Sequence, residues 1–114
     1  MTSPGPPDAA LRDVLNCLRR LSELGAGQTR DTLPTDRMRY ESALYTLIVL
    51  GEAVKRVPPM VRQQHPEIPW NLMAGQRDIL IHRYDETDIP LVLNAVLIEA
   101  PRLTPLISAI LGLS

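Results

Sequence analysis

The sequence predicts an all-α fold, a bundle of four main helices plus a short turn around residues 60–64. Three observations carry that expectation. Apolar residues recur at three- and four-residue steps, the period of one helix face. The eleven prolines mostly fall between the periodic segments rather than inside them. No alternating run long enough for a strand appears, and there is no phenylalanine.

Each element follows in order. Residues 1–7, with Pro4, Pro6 and Pro7, read as a disordered tail, and residues 8–114 as one helical domain. Leu11, Val14, Leu15, Leu18 and Leu21 mark a first helix from Asp8, its candidate N-cap, to Leu24. A loop carrying Gly25 and Gly27 reaches to about Leu33. A longer second helix runs from Thr35 or Asp36 to Val57, with Leu44, Leu47, Ile48, Gly51, Val54 and Val57 on its apolar stripe. Pro58 and Pro59 stop it, since a helix interior rejects proline. A third helix is expected from Pro69 to Tyr84. The last starts near Asp88, a candidate cap, and carries Leu91, Val92, Ala95, Val96, Ile98, Leu103 and Leu106. Pro101 and Pro105 fall within it, so a kink or break is expected there.

With 114 residues the chain is one domain's worth. The net charge of -1 excludes a globally basic nucleic-acid-binding surface, though not a local patch. The single cysteine, Cys17, cannot form an internal disulfide, which makes a reducing cytoplasm the expected setting. No membrane partner is expected, because Gly51-Glu52 and Lys55-Arg56 interrupt the best apolar run. The opening residues lack the basic start and apolar stretch of a signal peptide.

Most signatures of chemistry are missing. There is no Gly-rich phosphate loop, no Cys-x-x-Cys and no His-Glu-x-x-His. Cys17, His65 and His82 sit on three different segments, so no metal site and no cofactor is expected. His65 reads as a loop histidine, and Trp70 as a core anchor rather than a stacking platform. What remains is the segment from Ala74 to Asp85. On a helix with about 100° per residue, Leu72, Met73, Ile79 and Leu80 form the expected core stripe. Asn71, Ala74, Gly75, Asp78 and His82 form an opposite face, small and polar, suited to the wall of a cleft or a subunit interface. Asp78 and His82, four apart, can hydrogen-bond along it. Arg77 and His82 diverge by roughly 140°. A long arginine arm, a loosened last turn or a second subunit would bring them together. By spacing alone, Arg77, His82 and Tyr84 near a helix end read first as a complement to the helix dipole rather than as a site. Residues 85–88 read as a solvated cap for the next helix.

Three blocks in order change the reading. They are Gly51-Glu52-Ala53-Val54-Lys55-Arg56, His65-Pro66-Glu67-Ile68-Pro69-Trp70, and Ala74-Gly75-x-Arg77-Asp78-x-x-x-His82-x-Tyr84. Together they closely resemble the HepT-like family, small all-helical proteins of the HEPN superfamily encoded beside a minimal nucleotidyltransferase. The segment Leu11-Arg12-Asp13-Val14-Leu15 also fits that family's first helix, so the resemblance covers the chain after the tail. It implies a HEPN-type four- to five-helix bundle and a homodimer with the site in a cleft at its interface. It further implies the toxin of a type VII-like toxin–antitoxin pair, a metal-independent endoribonuclease. Arg77 and His82 would be its catalytic pair, with Asp78 in support. Tyr84 would be the residue to which the partner nucleotidyltransferase transfers AMP, blocking the site. RNA, that nucleotidyltransferase and a second copy are the implied partners; no DNA is expected. This chain departs from the family at Gln76, usually methionine, and at Asp78, more commonly asparagine.

The residue types suit that chemistry. RNA is cut without a metal when its 2′-hydroxyl attacks the adjacent phosphate, which needs a proton-moving group such as histidine. The negatively charged transition state needs a fixed cationic fork such as arginine. AMP on a tyrosine adds bulk and negative charge that repel RNA. The alternative is a non-catalytic HEPN module that presents substrate to the nucleotidyltransferase. A purely structural helical adaptor is the third class, and it predicts no effect on RNA.

Overall fold

The structure is a computed structural model, and it describes residues 6–82 and 88–113. Helices α1 (Pro6–Gly25), α2 (Arg37–Lys55), α3 (Pro59–Gln64), α4 (Trp70–His82), α5 (Ile89–Asn94) and α6 (Ala100–Ile110) account for most of them. A 3-10 turn, Leu33–Thr35, precedes α2, and a π-helical stretch, Ala95–Glu99, joins α5 to α6. No strand occurs among the described residues. The architecture is the all-helical bundle expected from the sequence.

Helix α2 lies between α1 and α4, and α1 also packs against α6 and the π-helical stretch. The core forms where the period-3.6 stripes meet: Leu15, Leu18 and Leu21 of α1, Leu47 and Val54 of α2, Leu80 of α4, Leu103 and Ile107 of α6. Each such side chain contributes about 1.5–3 kcal/mol when taken out of water.

The helix ends show where local chemistry decides. Asp36 caps α2 by accepting a bond from the Arg39 backbone N–H at 3.1 Å. Helix α1 begins at Pro6, so Asp8 lies in its first turn rather than at the cap. Prolines are at home in a first turn, where no N–H partner is required. The helix runs through Gly25, and Gly27, at φ 75°, turns the chain away. Residues 59–64 form a helix rather than a turn, started by Pro58 and Pro59. Asp88 stands at the start of α5 but makes no side-chain cap; it is buried.

The expected break at Pro101 and Pro105 takes another form. The helical path continues from α5 to Ile110, and its π-helical stretch ends just before Pro101. A widened turn gives room to a proline ring that would otherwise strike the carbonyl four residues back. The resulting rod, Ile89–Ile110, is long and apolar enough to cross a membrane, contrary to the expectation from α2. In the bundle its residues Val92, Val96, Leu103 and Ile107 are all buried against the other helices.

Candidate functional site on α4

Helix α4 is seated on α2 through Trp70, Met73, Gln76 and Leu80, all buried, with Arg77 beside them. The stripe is rotated by roughly 60° from the one read off the sequence. Leu72 and Ile79, expected in the core, are 49% and 41% exposed. The reason is Gly51. A Cβ there would lie 2.2 Å from Arg77 Cβ and 3.2 Å from the Met73 carbonyl oxygen. The missing side chain lets α4 settle against α2 along the Arg77 edge. Trp70 is the expected core anchor, and its indole N–H donates to the His65 carbonyl at 2.9 Å.

The Arg77 guanidinium, 27% exposed, is held from two sides. Its Nη2 pairs with Glu52 Oε1 on α2, and its Nη1 donates to Asp78 Oδ1 at 2.9 Å. Lys55, one turn beyond Glu52, donates to the same Asp78 oxygen at 3.0 Å. The hydrogen bond to Asp78, ahead of the Glu52 charge, strengthens the hold of Arg77 on its proton. The bonds from Arg77 and Lys55 lower the pKa of Asp78 below the usual carboxylate range. Arg77 Nε is buried and without a hydrogen-bond partner.

This network corrects one expectation. The four-residue spacing allows Asp78 a bond to His82 on the next turn, but the bonds it accepts come from Arg77 beside it and from Lys55 across on α2. Its charge therefore meets two cations, which offsets the repulsion that a bare carboxylate would exert on phosphate.

His82 is exposed at the end of α4. The helix is regular through His82, so no loosened turn draws Arg77 and His82 together. They stay roughly 140° apart and about 7.5 Å along the axis. Tyr84 lies outside the described residues. Of the expected opposite face, Asn71, Asp78 and His82 are exposed and Ala74 is half-buried. Nothing lies within 4 Å of a Cβ placed on Gly75. With Leu72 and Ile79 added, the outer face of α4 is more apolar than expected.

Glu52 and Lys55 stand in the first of the three sequence blocks, but the sequence reading gave them no role in the site. Their signal was their position beside Gly51, three apart on α2 and turned toward the motif helix. Among the described residues, no three His, Cys, Asp or Glu side chains converge as metal ligands would. His65 ends α3 and lies 3.6 Å from Glu67.

Comparison with known proteins then places the chain. The family model described as "Ribonuclease HepT-like" matches residues 14–110. The chain belongs to the HepT-like family. A Caldanaerobacter subterraneus protein named "Putative RNase TTE0752" is 30% identical, the match covering 92% of this chain and 94% of that protein. A Methanocaldococcus jannaschii protein named "Putative RNase MJ0125" is 42% identical over 83% of this chain and 82% of its own. A Thermococcus cleftensis protein, "Probable ribonuclease HepT", is 30% identical over 82% of this chain and 84% of its own. No solved structure matches the chain. The HepT-like match spans α2, α4 and the ion-pair network between them, so the Arg77 region belongs to the matched part of the chain.

Proposed function

We propose that this HepT-like protein is a metal-independent endoribonuclease that uses Arg77 and His82, and that it acts as the toxin of a toxin–antitoxin pair in the cytoplasm. The observation that carries the reading is the anchored Arg77 fork on the motif helix of a chain in a ribonuclease family. In the reaction the ribose 2′-oxygen bonds to the adjacent phosphorus and the 5′-oxygen leaves. His82 moves the proton between these oxygens, and Arg77 holds the phosphoryl oxygens as their charge grows. Glu52 and Asp78 keep the guanidinium plane aimed rather than free to swing.

A homodimer is part of the proposal. Arg77 and His82 stand far apart around one regular helix, while Gly75, Leu72 and Ile79 leave an open, partly apolar face beside them. A second copy on that face would bring its own His82 toward Arg77. Inhibition is proposed to come from a minimal nucleotidyltransferase that transfers AMP to Tyr84, adding negative charge where RNA must enter.

One observation favours the second reading, a non-catalytic module that presents substrate to the nucleotidyltransferase: both nitrogens of the Arg77 fork already meet carboxylates. One experiment separates the two. The purified protein is incubated with RNA in EDTA beside its His82→Ala and Arg77→Lys variants. The enzyme reading expects cleavage by the unaltered chain, none with His82→Ala and a large loss with Arg77→Lys, which keeps charge but lacks the planar fork. Equal cleavage by all three would defeat the assigned pair. Intact mass after treatment with the partner enzyme, ATP and magnesium tests Tyr84, since Tyr84→Phe should take up no AMP.

A further inference from the structure

A second surface, away from the motif helix, is built for contact. Between α1 and α2 lies a groove of about 580 Å³ lined by Asn16, Cys17, Arg20, Ser42, Tyr45 and Val49. Along the same pair of helices, Arg39 Nη1 donates to the Leu24 carbonyl at 3.0 Å, and Arg56 pairs with Asp13 at 3.0 Å. The groove itself is open, and Tyr45, one of its lining residues, is 70% exposed. A large aromatic ring standing in water gains nothing for the fold.

The charges around the groove are unbalanced in one direction. Arg37, Arg39, Arg56 and Arg77 each have an acidic partner, but Arg20 has none among the described residues. The acid at the rim, Glu41, is already held by Arg37 at 3.1 Å. The floor adds no charge, because burial and the nearby Asp13 carboxylate push the Cys17 thiol up to about 11.

The groove also points at the candidate site. Tyr45, Val49 and Glu52 lie four and three residues apart, on one stripe of α2. Glu52 holds Arg77. Tyr45 therefore stands two turns, about 10 Å along α2, from Glu52, which holds the cationic fork.

We propose that the α1/α2 groove takes an unpaired base of the RNA strand next to the phosphodiester at Arg77, stacked on Tyr45, with Arg20 on a neighbouring phosphate. The inference rests on the ribonuclease reading and adds to it a binding site for the substrate's flank. Stacking on a ring tolerates any base, so the groove selects single-stranded RNA without selecting sequence. It would strengthen binding more than turnover, since Tyr45 touches no reacting atom.

The test uses the full chain carrying His82→Ala, which stops turnover, and a fluorescein-labelled single-stranded RNA read by anisotropy. Tyr45→Ala should weaken binding at least about fivefold, and Tyr45→Trp should restore it. Arg20→Ala should weaken binding and flatten its salt dependence. In the His82-bearing chain Tyr45→Ala should raise KM and leave kcat nearly unchanged. Binding that ignores Tyr45→Ala overturns the groove. So does a change in oligomeric mass with Tyr45→Ala at unaltered RNA affinity, which would assign this face to a second copy of the chain. These outcomes leave the ribonuclease reading standing if the unaltered chain cleaves RNA. Failure of that chain both to bind and to cleave RNA would defeat the ribonuclease reading and this inference with it.

Discussion

Gly51 and Arg77 meet so closely that a methyl group on the glycine would lie 2.2 Å from the arginine Cβ. That approach presses α4 onto α2 and carries Arg77 to Glu52. Gly51→Ala should therefore act twice. The added carbon meets side-chain and backbone atoms near their helix axes, which cannot swing aside as a flexible side-chain tip can. The expected destabilisation is about 1–3 kcal/mol, the usual cost of overpacking. Arg77 should also leave its pairing with Glu52, so RNA cleavage at a temperature where the variant is fully folded should fall as well. Thermal unfolding and a cleavage assay on the same sample check this; an unchanged melting temperature would contradict the close approach.

The bundle was legible because helix periodicity and proline placement are local signals. The order of helices and the α2 stripe followed from spacing, whereas the cap of α2 at Asp36 came only with the structure. The rotation of α4 did not, because it depends on one missing side chain in another helix. A glycine on an apolar stripe reads as a neutral member of it, yet Gly51 decides that Arg77 turns inward and that Leu72 and Ile79 turn outward. The same holds for Asp78. Four-residue spacing made His82 its natural partner, but two cations from across and beside it offer stronger, charge-assisted bonds. The path through Pro101 was hidden because a π-helical turn leaves no mark in the apolar period.

Asp78→Asn should make the site more attractive to RNA. The substitution removes one negative charge beside Arg77 and leaves an acceptor oxygen for Lys55. Because Asp78 has its pKa lowered, chiefly by the bond from Arg77 and then by Lys55, it is ionised throughout the neutral range. The sign follows: its pairing supports the fold above the unfolded carboxyl value of 3.8 and is lost as pH falls through the lower folded value. At neutral pH the melting temperature should barely change, since the pair is solvent-screened. RNA affinity should rise by a few-fold in low salt and converge with the parent in high salt. Weaker binding by Asp78→Asn would mean that the retained amide oxygen cannot aim Arg77 as the carboxylate does.

Gln76 is 6% exposed, inside the bundle. It lines a small cleft of about 10 Å³ together with Leu18, Leu47, Met73, Leu103 and Glu99. A polar amide in this mostly apolar setting loses part of its hydration. Methionine, of similar length and more adaptable, should fill the same space. Gln76→Met is expected to stabilise the fold by about 1 kcal/mol. Chemical denaturation measures this, and a lower midpoint at constant slope would mean that the amide is well bonded in place.

Cys17 gives a test at alkaline pH. Its pKa is raised from the ordinary 9.0 to about 11, by burial first and by the Asp13 charge second. The folded state thus keeps a proton that the unfolded state gives up between pH 9 and 11. Stability from this group is fully present below pH 9 and is lost as pH rises toward 11. At pH 8 the thiol should react with iodoacetamide far more slowly in the folded chain than in the same chain in denaturant. Cys17→Ser should remove the alkaline loss. Equal alkylation rates in the two states would show that the thiol is open to solvent.

Gly75 separates stability within one chain from assembly between chains. A Cβ at this position meets nothing within 4 Å in its own protomer beyond its own helix, and the residue lies in the middle of α4. Within one protomer, Gly75→Ala should therefore stabilise the helix by about 0.5–1 kcal/mol, because alanine loses less backbone freedom on folding. Gly75→Leu should likewise leave the folded monomer intact. If the outer face of α4, with Leu72 and Ile79 on its flank, is where a second copy docks, leucine at its centre holds the two helices apart. Dimer mass by light scattering and RNA cleavage should then fall together in Gly75→Leu, while the circular dichroism of the helices is unchanged. Cleavage that survives in a wholly monomeric Gly75→Leu protein would place Arg77 and His82 of a single chain in the reaction, and the two-chain site would have to be given up.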